Sequence, residues 1–515
     1  MGDNVTDFII NVLKHTNLQR LTTDILLAGK PIIDSIRGKD STVFDSIGKL
    51  SDGIFDGHLN MVGSYDECTN VRAYIPKGVL IRLLTAFAIQ VNTKKIVSVN
   101  AGDNAINCVH GIRFLSITWI LLGHSLNYGL VSLPGIWTIA NPSQIKEMME
   151  SFTYQVVLSI PVAVDSFFMI SGMLVVYSQM NSTSKLMDNF SCSKTAAFAG
   201  KYLFHRFWRL TPLYMIALMV LTCLLKYFGD GPFWPSVIPL ADNCRTNWWT
   251  NLLYINNFLP ASKQCMSWSW FLSDDMQFYV ITLFVLIFLA VSIKIGLVLI
   301  SLMMLGGISA AAYSEHTYKG DLLHGKGDHD VYWTNVYTPP WCRISAYCVG
   351  MILGIIMKKR PRKQLHWIQT VIGWTLAIAG GLFVVYIPYS EHRKGGTQWS
   401  LDMRTAYESL GRPLWASCVA WVLFACHNGN GGVVNKILSW RGLVPLSRLS
   451  YAVYLIHPIV MMTYFFSRRT LFYINDFKVV YLYIGHTVVT FMVAFVASIA
   501  FEGPFLALEK IMTGR

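Results

Sequence analysis

Apolar runs long enough to cross a lipid bilayer recur along most of this chain. A bilayer core takes about 20 apolar residues of helix, and ten segments of the chain reach or approach that length. The predicted spans are 112–131, 154–177, 210–228, 274–291, 294–313, 341–357, 367–388, 409–426, 446–466 and 479–501. This pattern predicts an all-α fold, a polytopic membrane helix bundle of about ten transmembrane helices.

The first 107 residues have a different pattern, with mixed polarity and no clear span. The apolar stretch 78–91 is short and Arg82 interrupts it, so we expect it to lie at the membrane interface or to pack against the bundle. The pattern therefore predicts a small, mostly helical amino-terminal region over 1–107 and a transmembrane domain over 108–510.

Composition and charge support a membrane location. Hydrophobic residues make up 53% of the 515 residues and charged residues only 14%, whereas soluble domains average about 25% charged residues. The net charge of +13 comes from short basic runs beside apolar segments, which is typical of cytoplasmic loops. We therefore expect membrane lipids and no nucleic acid as partners. The protein is expected to be multi-pass, in either the endoplasmic reticulum or the plasma membrane.

Basic residues in short loops predict the orientation of the bundle, because such loops stay in the cytoplasm. The predicted connections between spans two and three, six and seven, and eight and nine are rich in Lys and Arg. With ten spans these connections fall on one side, so both ends of the bundle are expected in the cytoplasm. The loop 467–478, with Arg468, Arg469 and Lys478, is the exception.

Two cysteines, Cys244 and Cys265, lie in the loop 229–273, which this orientation places outside the cytoplasm. That compartment permits disulfides, and a bridge that closes about 20 residues contributes about 3 kcal/mol in the chain-entropy model. We therefore predict a disulfide between them, with two free buried thiols as the alternative.

Polar residues inside predicted spans are the main functional candidates, because a charged side chain at the bilayer centre costs about 2.5–3.5 kcal/mol. Arg113 and His124 both lie in the first span. Eleven steps of about 100° bring them to within about 20° on one helix face, about 16 Å apart along the axis. We expect them to line one cavity, with His124 as a general base and Arg113 as a ligand of phosphate or carboxylate. A snorkelling arginine and a histidine that only links helices are the alternative.

Three further polar residues extend this candidate site. Asp165, near the middle of the second span, is predicted to orient His124, as carboxylates do for catalytic imidazoles; an interhelical hydrogen bond is the alternative. Arg206 and Arg209 precede the third span, and at i and i+3 they share a helix face. This pair suits the phosphate groups of a donor such as acyl-CoA, although ordinary positive flanking of a span gives the same pattern.

His457 is a second imidazole within an apolar span, with Tyr454 one turn before it and Pro458 directly after it. Proline disturbs a helix locally, so we expect His457 and Tyr454 to contribute to substrate binding. The loop 315–340 is rich in His and Asp, but their spacing is irregular. We therefore expect no metal site and no bound cofactor.

Six short segments, in this order along the chain, resemble motifs of the membrane acyltransferase family three. The resemblance is closer to its animal branch, the nose resistant to fluoxetine proteins, and it covers about 84–510. An arginine and a histidine with ten residues between them, as in Arg113 and His124, are the most telling match. The six segments are residues 111–124, 164–172, 206–209, 270–277, 340–343 and 449–457.

The resemblance implies a ten-helix bundle that passes acyl groups from a cytoplasmic donor to an acceptor on the far side. It implies that Arg113 and His124 are the essential pair and that Arg206 and Arg209 form a basic motif. Residues 63–68 resemble the branch's cysteine-containing amino-terminal domain. Because the further cysteines and the extra span of that domain do not follow, we expect the region 1–107 to be abridged.

Two functional hypotheses follow. The first is an O-acyltransferase, with acyl-CoA as co-substrate and a lipid, a glycan or another hydroxyl compound as acceptor. The second is a transporter of lipids or small molecules with the same fold, because paired polar groups in a bundle serve substrate passage equally well. A receptor is disfavoured by the number of predicted spans.

Overall fold

The structure, a computed structural model, describes residues 79–102, 105–130, 139–188, 191–318, 329–360 and 362–513. The chain divides into two compact units, Met1–Leu84 and Thr85–Arg515. Of the first unit the structure describes only residues 79–84, which lie in a helix Val79–Ala86. The segment 63–68, which resembles the cysteine-containing domain, lies outside the described residues.

Ten helices of at least 20 residues dominate the described part of the second unit, and we number them in chain order. They are α1 Cys108–Leu130, α2 Pro161–Asp188, α3 Cys192–Cys223, α4 Trp270–Val291, α5 Ile293–Tyr318, α6 Pro340–Lys359, α7 Trp367–Tyr386, α8 Leu401–His427, α9 Leu443–Phe466 and α10 Asp476–Ala497. Extended pairing in the described ranges is limited to an isolated bridge between Ile139 and Phe472. The predicted all-α fold is confirmed.

Eight of these helices, α2 and α4 to α10, are long and apolar enough to cross a membrane. The polytopic bundle is therefore confirmed, whereas the predicted number of about ten spans is not. The other two helices, α1 and α3, have 23 and 32 residues and could span a bilayer by length. Their hydropathy is lower because α1 carries Arg113 and His124 and α3 carries several basic residues.

The helix that contains the predicted third span begins well before that span. The predicted span starts at residue 210, with Lys194 and Lys201 in the connection before it and with Arg206 and Arg209 on a shared helix face, whereas α3 begins at Cys192. Lys194, Lys201, Arg206 and Arg209 therefore lie on the helix. Lys and Arg are good helix formers, so a helix can continue well beyond its apolar part.

Glycines let α2 and α6 pack with their backbones in contact. A Cβ atom at Gly172 would lie 2.4 Å from the backbone oxygen of Tyr347, and one at Gly350 would lie 2.0 Å from that of Met169. Both separations are shorter than any normal contact, so only glycine fits. Small residues commonly permit this close approach between membrane helices.

We expect the substitution Gly350→Ala to destabilise the protein by about 1–3 kcal/mol, because the added methyl group overpacks a backbone contact. Gly306→Ala in α5 is the matched control, since a Cβ atom there meets nothing within 4 Å. Thermal unfolding of the purified protein in detergent measures both. Equal unfolding temperatures for the two variants would contradict the packing argument.

The basic connections that follow α6 and α8 meet at one end of the bundle, where Leu365 N–H donates to Asn430 Oδ1 at 2.9 Å. We call this the basic end; it includes residues 362–366 and 428–442. Arg448, near the start of α9, donates to the carbonyl oxygens of Lys95 and Asn100 at 2.7 and 2.6 Å. The segment that follows the helix Ile89–Val97 is therefore held at the basic end.

At the opposite end, the connection 224–269 between α3 and α4 contains a disulfide between Cys244 and Cys265. Its Asp230 forms an ion pair of 2.7 Å with Arg469, which follows α9. This ion pair joins the connection to the loop 467–478, whose basic residues were the exception to the predicted orientation.

Candidate active site inside the helix bundle

Three arginines from α1 and α3, which we call the arginine cluster, are Arg113, Arg206 and Arg209. Arg113 is close enough to the other two for electrostatic repulsion, and Asp275 of α4 attracts it. Arg113 is half-buried and Arg209 is exposed. Among the described residues, neither of them has a hydrogen bond or an ion pair to the protein. Their guanidinium groups are therefore available to a ligand.

Arg206 is held more firmly than the other two. It forms an ion pair with Asp275, and its guanidinium carbon lies 4.5 Å from the ring centroid of Tyr279. Arg209 also interacts electrostatically with Glu502. Three guanidinium groups against these two carboxylates leave an excess of positive charge, and arginine clusters of this kind suit phosphate and carboxylate groups.

The connection 224–269 reaches into the bundle beside this cluster. Tyr254 of this connection has a φ of 57°, a conformation that costs a non-glycine residue on the order of 1–3 kcal/mol. It is held there by a hydrogen bond from Gln277 Nε2 to its carbonyl, 2.9 Å, and by a 3.1 Å contact between its hydroxyl and Thr211 Oγ1. Burial raises the pKa of Tyr254 to about 12, so the hydroxyl stays neutral.

His124 and His457 form a pair at the contact between α1 and α9, which we call the histidine pair. Nδ1 of His124 lies 2.7 Å from Nε2 of His457, and the two rings are nearly parallel, with centroids 5.0 Å apart. His457 is fully buried and its Nδ1 lies 3.1 Å from the carbonyl oxygen of Val453. His124 is half-buried. The sequence identified both imidazoles separately, and the structure brings them into contact.

The sequence predicted that Asp165 orients His124, but in the structure Asp165 has a different partner. Both of its oxygens accept from Nη1 of Arg343 in α6, at 3.3 and 3.2 Å. Both side chains of this ion pair are fully buried, and the aromatic rings of Trp270 and Tyr337 lie 5.0 and 4.4 Å from the guanidinium carbon. A buried guanidinium needs a carboxylate more than a neutral imidazole does, which explains the different partner.

Tyr454 lies beside the histidine pair, but its hydroxyl group bonds to the protein backbone. Its hydroxyl donates to the carbonyl oxygen of Trp268, and its ring centroid lies 6.2 Å from that of His457 and 5.5 Å from that of Phe271. Tyr454 thus links α9 to the start of α4. Its predicted contact with substrate stays a prediction.

The arginine cluster and the histidine pair occupy different levels of α1. Arg113 and His124 are eleven positions apart in the sequence, about 16 Å along the helix. Between them, Ile117, Ile120 and Leu121 are buried in the core. The structure thus shows two polar clusters, one near the basic end and one deeper, and the cavity that was predicted to join them stays a prediction.

Sequence reasoning missed two buried arginines. Arg343 of α6 pairs with Asp165, and Arg412 of α8 pairs with Glu408 at 2.6 Å. Both arginines lie within predicted spans, at 341–357 and 409–426. The cost of a charge in hydrocarbon, which identified Arg113, is a signal that could have identified them too.

Comparison with known proteins agrees with this architecture. Residues 106–503 match the acyltransferase domain, and residues 39–95 match the amino-terminal domain of nose resistant-to-fluoxetine proteins. The chain is 34% identical over 459 residues to Nose resistant to fluoxetine protein 6 of Caenorhabditis elegans. That alignment covers 84% of this chain but only 54% of the relative. No solved structure matches the chain.

The acyltransferase match covers most of the chain and includes all ten long helices. It also contains every member of the arginine cluster and both histidines of the pair. The chain therefore belongs to the acyltransferase-domain family, in the branch of the nose resistant to fluoxetine proteins.

Proposed function

We propose that the protein is an O-acyltransferase that moves an acyl group from acyl-CoA to a hydroxyl group. The observation that supports this most is the position of His124, half-buried within the bundle of an acyltransferase-family protein and bonded to a second histidine. A neutral imidazole can take the proton of a hydroxyl group and later return it. His124 is the catalytic residue in this proposal.

The arginine cluster is the proposed binding site for the phosphate groups of acyl-CoA. Arg113 and Arg209 have no bonded partner among the described residues, and the cluster lies near the basic end, which we expect to face the cytoplasm. A long pantetheine arm separates the phosphates of acyl-CoA from its thioester. Phosphates held at the cluster would therefore allow the thioester to lie near His124, about 16 Å deeper.

The proposed reaction has two bond exchanges. His124 removes the proton of the acceptor hydroxyl while the oxygen attacks the thioester carbonyl, and a tetrahedral intermediate forms. The carbon–sulfur bond then breaks, and the departing thiolate receives the proton from His124. The products are an ester and free CoA, and the imidazole is neutral again. Lipids, glycans and other hydroxyl compounds all supply the required acceptor group.

The direct test uses the purified full chain in liposomes that contain 1-monooleoylglycerol, with octanoyl-CoA added outside. We expect release of free CoA thiol together with an octanoyl ester that mass spectrometry detects. Uptake of the lipid or of octanoyl-CoA without thiol release would support transport instead. No ester with monooleoylglycerol, octyl glucoside or octanol as acceptor would contradict the proposal.

The substitutions Arg113→Gln and Arg209→Gln are each expected to raise the KM for octanoyl-CoA about tenfold. Each removes one charge-assisted hydrogen bond, worth about 1.5–3 kcal/mol, and 1.4 kcal/mol is about tenfold in affinity. Arg245→Gln is the control, because Arg245 lies in an exposed pair with Asp242 at the opposite end. If all three variants have the wild-type KM, the cluster does not bind the donor.

A further inference from the structure

The hydrogen bonds of the histidine pair determine which ring nitrogens carry a proton. His457 Nδ1 lies 3.1 Å from the carbonyl oxygen of Val453, and a carbonyl oxygen can only accept, so this nitrogen is protonated. In the neutral ring, Nε2 of His457 is then an acceptor. The nitrogen 2.7 Å away, Nδ1 of His124, must donate to it. The lone pair of His124 is therefore on Nε2.

Pro458 adds a second acceptor beside His457. Proline has no backbone N–H, so it cannot bond to the carbonyl of Tyr454, four residues earlier in α9. The carbonyls of Val453 and Tyr454 both interact with the His457 ring. Two carbonyl oxygens can stabilise a positive charge on that ring, even though no carboxylate touches it among the described residues.

We infer that His457 is a positioning residue that keeps the lone pair of His124 on Nε2 and accepts a proton from it. This inference rests on the proposed function. When Nε2 of His124 takes the hydroxyl proton, the Nδ1 proton of His124 moves to Nε2 of His457. The positive charge then rests on His457, beside the two carbonyls. The reverse shift returns a proton through His124 to the departing thiolate, so both rings end neutral.

This role differs from the substrate-binding role that the sequence predicted for His457. His457 is fully buried and acts through His124, so the acceptor hydroxyl is expected on the Nε2 side of His124. In serine hydrolases a carboxylate holds the catalytic imidazole in this way. Here the only carboxylate predicted for that task, Asp165, is bonded to Arg343.

Two substitutions separate this role from simple packing. His457→Phe keeps a planar ring against His124 but removes the acceptor nitrogen, and we expect kcat to fall about 100-fold or more. His457→Gln keeps an acceptor, the side-chain carbonyl oxygen, but cannot pass a proton on. We expect this variant to recover about tenfold of the loss, with the KM for octanoyl-CoA unchanged in both.

A solvent isotope measurement detects the proton transfer itself. The rate of the wild-type protein in mixtures of H₂O and D₂O is expected to curve with D₂O fraction, because two protons move in the chemical step. The His457→Gln variant should give a straight line, because one proton moves. Equal kcat for the Gln and Phe variants, or a straight line for the wild type, would overturn the inference.

A second measurement does not require catalysis. Nitrogen-15 NMR of histidine-labelled protein distinguishes protonated from unprotonated ring nitrogens, and the His124 signals are those lost in His124→Ala. We expect Nδ1 of His124 to be protonated and Nε2 unprotonated. The opposite result would overturn the inference. If this result holds while the wild type transfers no acyl group, the proposed function fails and the positioning does not.

Discussion

Acyl transfer is expected to fall by about two to four orders of magnitude when His124 is replaced by alanine, the usual contribution of a general base. The KM for octanoyl-CoA should change little, because the arginine cluster lies about 16 Å away along α1. Release of CoA thiol under saturating donor and acceptor measures the loss. His124→Gln should be equally inactive, since an amide cannot take the proton.

His486→Ala is the matched control for this substitution. His486 of α10 is also a buried histidine, and its Nδ1 lies 3.2 Å from Ser125 Oγ, but it does not belong to the histidine pair. We expect its removal to leave the rate within a few-fold of wild type. Full activity in His124→Ala would exclude His124 as the base, whereas equal losses in both variants would indicate general damage to the bundle.

The lipid-facing helices were the easiest part of the fold to predict. The predicted spans 294–313 and 367–388 agree closely with α5, Ile293–Tyr318, and α7, Trp367–Tyr386. Many of the apolar side chains of these helices point outward, for example Leu302 and Leu376. Side chains that face lipid must be apolar, so the hydropathy of the sequence identifies these helices directly. Helix α3 was predicted poorly because its first half is polar, and hydropathy alone stops where the apolar run stops.

Individual site residues could be predicted, but their contacts could not. His124 and His457 stand out because an imidazole within an apolar run is unusual, and each was identified for that reason. The two residues are 333 positions apart, and their contact depends on how α1 packs against α9. No local pattern encodes that packing, so the sequence suggested separate roles for them.

The contact between Asp165 and Arg343 also could not be predicted from the sequence. A carboxylate within a span needs a cation or several hydrogen-bond donors, and the sequence offers several within spans, among them His124, Arg343 and Arg412. Only the packing of α2 against α6, where Gly172 and Gly350 allow close approach, decides in favour of Arg343. The prediction that Asp165 assists His124 was therefore wrong for a reason that lies in tertiary structure.

The pair of Asp165 and Arg343 provides the largest expected effect on stability. Arg343→Met leaves a carboxylate buried without its cation, and Asp165→Leu leaves a guanidinium buried without its anion. Removing one member of a buried ion pair typically costs about 3–5 kcal/mol. Arg343 also donates from Nε to the carbonyl oxygen of Tyr337 at 2.8 Å, so its removal costs a further hydrogen bond. We expect both single variants to unfold at much lower temperature in detergent, or to be lost during purification.

The double variant Asp165→Leu with Arg343→Met tests whether an unpaired buried charge causes the loss of stability. An apolar pair of similar volume avoids the buried charge, so the double variant should recover most of the lost stability, which is the usual result for such replacements. Arg469→Gln is the control, because its 2.7 Å pair with Asp230 is exposed and such pairs contribute about 0–1 kcal/mol. If the double variant is as unstable as the sum of the single variants, the two side chains act independently. The stabilisation that Arg343 provides would then come from its contacts with Trp270 and Tyr337, not from the ion pair.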